Sequence, residues 1–448
     1  MRMAGYICEI YCLPYIDKMT KKEKILFVLI LFFLTTLFLP WLKLANIFAA
    51  IFLGVYSFFF DLFEEDSLRI RKENLFYSLK EKWLLLRKRK YLLWMFLFFI
   101  MVVISLFLSS NFHKGLRYLD PRLPLAYFPL SVGLLQLKKD FKEKVLLGFA
   151  WLTTFIMVFC LCWSLQRSGF FKKPEFLYND SFTEILKQQS IYISLLVNLS
   201  IYIFAHHILY KKNRYRGWMI ITVIFLFAIS YLLASRNLML VLYLFTIGFS
   251  FHCIFNQKKY LEGATILFGL VLGIFVIFKF FPKTFNRYKE LAYTQFDYKS
   301  MAKESHYNME VTKDQWNGAN FRMAAWRCGW ELFLSSPIKG VDIGDKKDKL
   351  MEKYREKDFQ FALQTQRNVH NNYLDILYSM GLVGLSLFLV GWVILPFVYA
   401  KRYKDWLSVC IILTFAVAWI TEIYFDRSLG GMLTGFFVPF VLSDKNKK

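Results

Sequence analysis

Between Lys24 and Leu442 the chain alternates long apolar runs with short basic intervals, and nothing else in it constrains the fold as tightly. The runs fall near 25–39, 43–63, 91–110, 123–137, 145–165, 190–210, 217–234, 237–255, 261–281, 372–400, 405–424 and 428–443. A helical span needs ~20 such residues, because a hydrocarbon core about 30 Å thick offers no water to satisfy backbone groups. The pattern predicts an all-α polytopic membrane protein with about 12 transmembrane helices. Two runs, 25–39 and 123–137, fall short of that length, and the second is expected as a short or broken span. Pro40 is expected to turn the first two runs into a tight hairpin.

A composition of 57% hydrophobic residues, with aromatic residues at 20%, excludes an ordinary soluble domain. The net charge of +24 would suit a nucleic-acid binder, but the lysines and arginines sit mainly between apolar runs. They read as topological charges, and no nucleic-acid partner is expected. The intervals 21–24, 64–90, 138–144, 211–216, 257–259, 401–404 and 444–448 are all basic, and the positive-inside rule assigns them to the cytoplasm. The expected organisation is a cytoplasmic N-terminus (1–24), transmembrane helices 1–9 (25–281), a large outer loop (282–370), transmembrane helices 10–12 (371–443) and a cytoplasmic tail (444–448). Residues 1–18 resemble neither a signal peptide nor a strong span, and Met19 is expected to be the initiator. Of the 7 cysteines only Cys328 lies in the large polar loop, so no disulfide framework is implied.

Charge at a bilayer centre costs at least ~2.5–3.5 kcal/mol, so intramembrane ionisable groups usually mark function. Here the mid-span positions are nearly free of them. His206, His207 and His252 are placed near cytoplasmic ends. Asn198 and Ser200 are expected to bond between helices. The outer ends differ: Arg236 sits in a turn between two spans, Glu422, Asp426 and Arg427 cluster, and Arg117, Arg122, Arg287 and Arg322 lie in outer loops. Glu422 and Arg427 are read as a neutralising pair. Arg117, Arg122 and Arg287 are read as headgroup anchors, and His113 and His306 as loop residues. Asp342, Asp345 and Asp348, spaced three apart among lysines, are read as a solvated face. There is no Walker loop, no HExxH and no Cys/His metal array, so no metal or other cofactor is expected.

The large outer loop ends in QRNVHNNYLDILYSMGLVGL (366–385), where a polar stretch passes His370 and becomes an apolar helix. Helical spacing puts Leu374, Leu377, Gly381 and Gly384 on one face, smooth enough for a neighbouring helix to lie close. His370 then stands at the helix mouth, where free backbone N–H groups favour an anion. Upstream, Phe321, Ala324, Ala325, Cys328 and Leu332 share a helical spacing that stops at Ser336-Pro337.

Four stretches carry a resemblance: HNNYLDILYSMGLVGL (370–385), FRMAAWRCGWELFLSSPIKGVDIGD (321–345), ASRN (234–237) and, less specifically, TEIYFDRSLGG (421–431). Together they resemble the O-antigen ligase / O-antigen polymerase superfamily of polytopic bacterial glycosyltransferases. The resemblance implies a GT-C-like, metal-independent enzyme of the inner membrane, both termini cytoplasmic, with its site in the periplasmic loop region. Its donor would be a glycan on undecaprenyl pyrophosphate and its acceptor lipid A-core or another glycolipid, held within membrane lipid. The chemistry asks for a base on the acceptor hydroxyl and positive charge on the departing pyrophosphate. His370 is the candidate base; Arg236 and Arg322 are the candidate pyrophosphate ligands. A polymerase of the same superfamily is the nearest alternative reading. A transporter or flippase is the alternative from another class, though such a protein would place its site near the midplane.

Overall fold

The computed structural model describes residues 19–39, 41–65, 75–211, 215–280, 292–302, 304–305 and 315–444. Their regular secondary structure is helical, apart from isolated bridges. The first half of the chain forms α1 (Lys21–Leu37), α2 (Lys43–Phe59), α3 (Leu75–Lys88), α4 (Lys90–Leu108), α5 (Phe112–Leu119), α6 (Pro124–Leu130) and α7 (Lys139–Arg167). Next come α8 (Ser190–Tyr210), α9 (Arg216–Leu233), α10 (Arg236–Phe251) and α11 (Tyr260–Phe280). The large loop carries α12 (Asn320–Ser335), α13 (Lys346–Glu356) and α14 (Gln360–Thr365). The chain then closes with α15 (Asn372–Phe388), α16 (Leu395–Arg402), α17 (Trp406–Ala418) and α18 (Ser428–Val441). Pro40, Arg287, His306 and residues 1–18 lie outside the described residues.

Seven helical stretches among the described residues are long and apolar enough to cross a membrane, the pattern of a polytopic membrane protein. They are Leu44–Leu62, Lys90–Leu108, Lys139–Arg167, Ser190–Tyr210, Arg216–Leu233, Arg236–Asn256 and Asn372–Arg402. Most bury only a third to two fifths of their apolar window, which leaves Phe155, Phe159, Ile224 and Leu240 outward as a lipid-facing surface requires. Helix α8 differs: 78% of its window is buried, so it is the central post. Its Asn198 donates to the Leu238 carbonyl of α10 at 2.7 Å, the interhelix bond expected of it. Ser200 instead returns its hydroxyl to Leu196 of its own helix.

The connecting segments gather at two ends. At one, Arg89 donates to the carbonyls of Gly133, Leu135 and Asp444, while Lys142 pairs with Asp405 and Asp444. Lys138–Glu23 and Lys211–Glu143 join the same end, so the basic intervals 21–24, 87–90, 138–144 and 401–405 meet there. At the other, Asp345 accepts the N–H groups of Ser110 and Asn111, and Asn237 reaches Thr421.

The short run 123–137 connects these ends as a broken element. Helix α6 stops at Ser131, a 3-10 turn covers Val132–Leu134, and Leu137 N–H then bonds Ser443 O at 3.0 Å. It lies against α18, closely enough that a Cβ on Gly435 would fall 2.4 Å from Pro124 O. At 14 residues α18 is about 21 Å long at ~1.5 Å per residue, short of a hydrocarbon core. Both elements are walled by protein, so neither must match the lipid thickness.

The loop helices have their own core, in which Trp316, Phe321, Phe359 and Phe361 stack and Ala324, Ala325, Cys328 and Leu332 pack inward as the spacing predicts. Two expectations are corrected. The reading of 370–385 as one smooth helical face fails at Gly381, whose φ of +64° breaks α15. A Cβ there would lie 2.1 Å from Ile338 O, and Leu382 N–H bonds Pro337 O, so the glycine admits the 337–340 turn rather than a helix. Of the aspartates 342, 345 and 348, only Asp348 keeps the solvated position expected of all three. Asp342 is buried, accepting from Ser105 Oγ and pairing with Lys339; Asp345 caps 110–111; Asp348 pairs with Lys114. Asp342 and Asp345 fasten the loop to the C-terminal end of α4 and the residues just after it.

Candidate active site at the mouth of helix α15

His370 occupies a backbone elbow. Its φ is +46°, in the left-handed region that a non-glycine residue adopts at a cost of order 1–3 kcal/mol. The sequence around it offsets that cost. Asn368 Oδ1 accepts His370 N–H at 3.0 Å, and Asn371 Oδ1 accepts Leu374 N–H at 3.0 Å, capping α15. Val369 is fully buried, and its carbonyl accepts Trp326 Nε1–H at 2.8 Å. The imidazole is 27% exposed and meets the ring of Phe321 edge to face. Its Nδ1 lies 3.1 Å from Glu422 Oε2, a carboxylate 10% exposed.

Arg236 is the first residue of α10, following Ala234 in a left-handed turn and Ser235 at the cap. Arg322 lies in the first turn of α12. Both guanidiniums converge on Gly318. A Cβ added there would stand 2.7 Å from Arg236 Nη2 and 3.1 Å from Arg322 Nη1, so the two cationic ends are neighbours. Arg322 also donates to Gly318 O at 2.6 Å and to Thr421 O at 3.4 Å. Like charges set side by side repel, and an anion between them relieves the repulsion through charge-assisted hydrogen bonds.

The segment 419–427 gathers these parts. Asn372 N–H donates to Trp419 O, and Asn372 Oδ1 accepts from Phe425 N–H. Thr421 Oγ1 accepts Asn237 Nδ2–H at 2.9 Å. Thr421 and Glu422 are consecutive, so Arg322 and His370 bind neighbouring residues of one segment. The structure thus brings together all three sequence-predicted residues, His370, Arg236 and Arg322.

The pairing of Glu422 with Arg427 rests on helical separation. The segment is a turn followed by a 3-10 helix at Tyr424–Asp426, and the hydrogen-bond partner of Glu422 is His370. Burial alone would raise the Glu422 carboxyl. Hydrogen bonding and charge from His370, with Arg427 and Arg322, outweigh burial and hold it below the usual carboxylate range.

Arg122, read as a headgroup anchor, is instead 1% exposed. It and Lys346 meet Asp375 and Asp426, with Lys346 Nζ 2.7 Å from Asp375 and 2.8 Å from Asp426. Burial would raise Asp426, but Lys346 and Arg122 hold it low. Asp375 carries no separate sequence signal, because it lies within the 370–385 motif that holds His370. Arg117 and His113 remain exposed on α5. Among the described residues no three His, Cys, Asp or Glu side chains stand together as metal ligands would.

No curated protein matches the chain. Residues 220–389, from α9 to the end of α15, match the family model described as O-antigen ligase, and the match contains Arg236, Arg322 and His370. The segment that holds the candidate site is thus similar to the O-antigen ligase family.

Proposed function

We propose that the chain is an O-antigen ligase, a metal-independent glycosyltransferase that moves a glycan from undecaprenyl pyrophosphate to lipid A-core at the periplasmic face of the inner membrane. In this reading the basic end is cytoplasmic and holds both termini. The bundle crosses the membrane about twelve times, counting the broken 123–137 run and the shorter apolar helices, in a GT-C-like arrangement. The observation that carries the reading is the convergence of Arg236 and Arg322 at Gly318, with His370 bound one residue along the segment that Arg322 touches.

The two guanidiniums bind the donor pyrophosphate and stabilise the charge that grows on it as the glycosidic bond breaks. The positive end of α15 adds to the same field. His370 takes the proton of the acceptor hydroxyl as that oxygen attacks the anomeric carbon; imidazole suits the task because one ring nitrogen can accept a proton while the other is hydrogen-bonded.

A chromosomal deletion complemented with variants tests this on lipopolysaccharide gels. Loss of all long chains with carrier-linked polymer accumulating identifies a ligase; a single repeat unit left on the core identifies a polymerase. His370→Ala is expected to abolish transfer at normal membrane levels, and full transfer by it removes the assignment. Arg236→Lys keeps the charge and loses the planar fork, with an expected loss of about 10²-fold.

A further inference from the structure

We infer that Glu422 is the positioning residue of His370: it holds the ring as the Nδ1–H tautomer, leaving Nε2 as the bare nitrogen that accepts the proton of the acceptor hydroxyl. The inference rests on His370 being the base and adds which nitrogen acts and what fixes it.

The geometry carries it. Glu422 Oε2 lies 3.1 Å from Nδ1, and among the described residues no other side chain bonds the ring. The carboxylate is nearly closed off at 10% exposure, whereas the imidazole at 27% is reachable. A substrate can therefore meet the ring but is kept from the carboxylate. Tyr192 of α8 and Tyr424 stack edge to face nearby and contribute to the surroundings of Glu422, with Arg322 from α12 and Arg427 from its own segment. Against His370 itself stand Glu422 and the Phe321 ring. An ionised carboxylate accepts hydrogen bonds and donates none, so it fixes the proton of a neutral imidazole on Nδ1. With the imidazole neutral, the Arg427 and Arg322 charges beside Glu422 still favour its ionised form.

Glu422 is in turn held by the donor-binding elements. Its neighbour Thr421 accepts from Asn237 of α10 and from Arg322 of α12. The residues that follow Arg236 and that precede the base thus set the same short segment.

The step balances without a further reactant. The acceptor oxygen forms its bond to the anomeric carbon while its proton passes to Nε2. The bond from that carbon to the pyrophosphate oxygen breaks, and its electron pair leaves with the pyrophosphate. The imidazolium so formed carries N–H on both nitrogens and lies against the Glu422 carboxylate until Nε2 returns its proton to the product pyrophosphate or water.

Two readouts on the purified full chain test this. Nitrogen NMR of ¹⁵N-histidine-labelled protein, with His370→Ala identifying the resonances, reads the tautomer without relying on activity. At the pH of fastest transfer, His370 is expected as Nδ1–H with Nε2 bare, and Glu422→Gln is expected to redistribute it. An Nε2–H tautomer or an imidazolium in the unsubstituted protein, or an unchanged tautomer in Glu422→Gln, overturns the inference.

Transfer is then measured with a synthetic polyprenyl-pyrophosphate-linked glycan and lipid A-core. Glu422→Gln, which keeps the shape, is expected to lower kcat about 10²-fold with the donor KM little changed. Glu422→Asp, which keeps the charge, is expected to recover part of that loss. A structural role reverses the order, with Gln tolerated better than Asp, and overturns the inference. Full transfer by His370→Ala sinks the base reading itself. An inactive His370→Ala beside a fully active Glu422→Gln sinks only the role of Glu422.

Discussion

Gly318 shows how a single missing methyl group shapes the candidate site. A Cβ there would come within 2.7 Å of Arg236 Nη2 and 3.1 Å of Arg322 Nη1. Both are ends of flexible side chains, which can swing aside cheaply, so the fold tolerates the change while the cationic pair does not keep its spacing. Gly318→Ala is expected to shift the thermal midpoint little and to raise the donor KM several-fold; an unchanged KM separates the arginine pair from donor binding. Arg236 and His370 stand out in the sequence because each lies beside an apolar run, and Arg322 because it falls in the stretch 321–345 that carries the resemblance. Glu422 was misassigned because helical spacing was assumed for a segment that is a turn and a 3-10 helix. Gly318 carried no signal at all, since its role is the proximity of two guanidiniums from distant elements.

At the scale of elements, the broken helix α15 is the chief departure from expectation. Periodicity cannot reveal a left-handed residue inside an apolar run, and a glycine at helical spacing reads equally as a smooth face or a break. The structure chooses the break because the 337–340 turn occupies the space, with Ile338 O 2.1 Å from where a Cβ would be. Here the neighbour is backbone and cannot swing away. Gly381→Ala combines that clash with a φ of +64°, and a loss of at least ~1–3 kcal/mol is expected from the backbone conformation alone. Thermal unfolding in detergent checks it, and an unshifted midpoint contradicts the close approach of the loop. Helix α12, by contrast, was legible almost to the residue, because its buried stripe and its Ser336-Pro337 stop are both local signals.

For the molecule as a whole, the apolar runs and basic intervals specified the helical bundle and the grouping of its loops, whereas the fastening between loop and bundle lay beyond reach. That fastening is the buried quartet of Arg122, Lys346, Asp375 and Asp426, drawn from four distant segments. Removing one member leaves a buried charge uncompensated, at a cost of about 3–5 kcal/mol. Lys346→Met is therefore expected to lower the thermal midpoint clearly and to speed proteolysis of the large loop; a midpoint equal to that of the unsubstituted protein denies the fastening role. Acid acts on the same quartet. Because Asp426 is held below its unfolded value, its contribution is present above that value and fades as pH falls through the folded one. Lys346→Met removes part of what acid would remove, so its stability is expected to depend less on pH in the carboxylate range.

The quartet also sets an order of events during synthesis. Arg122, Lys346 and Asp375 emerge before Asp426, so for a time two cations face one carboxylate. The charges balance only when the segment ahead of α18 has been delivered, and the same segment brings Glu422 to His370. The large loop is thus latched by the final hairpin, in the same act that completes the His370–Glu422 pair. A ribosome halted between residues 386 and 425 would hold a chain with the 234–237, 321–345 and 370–385 motifs made and the loop still unlatched.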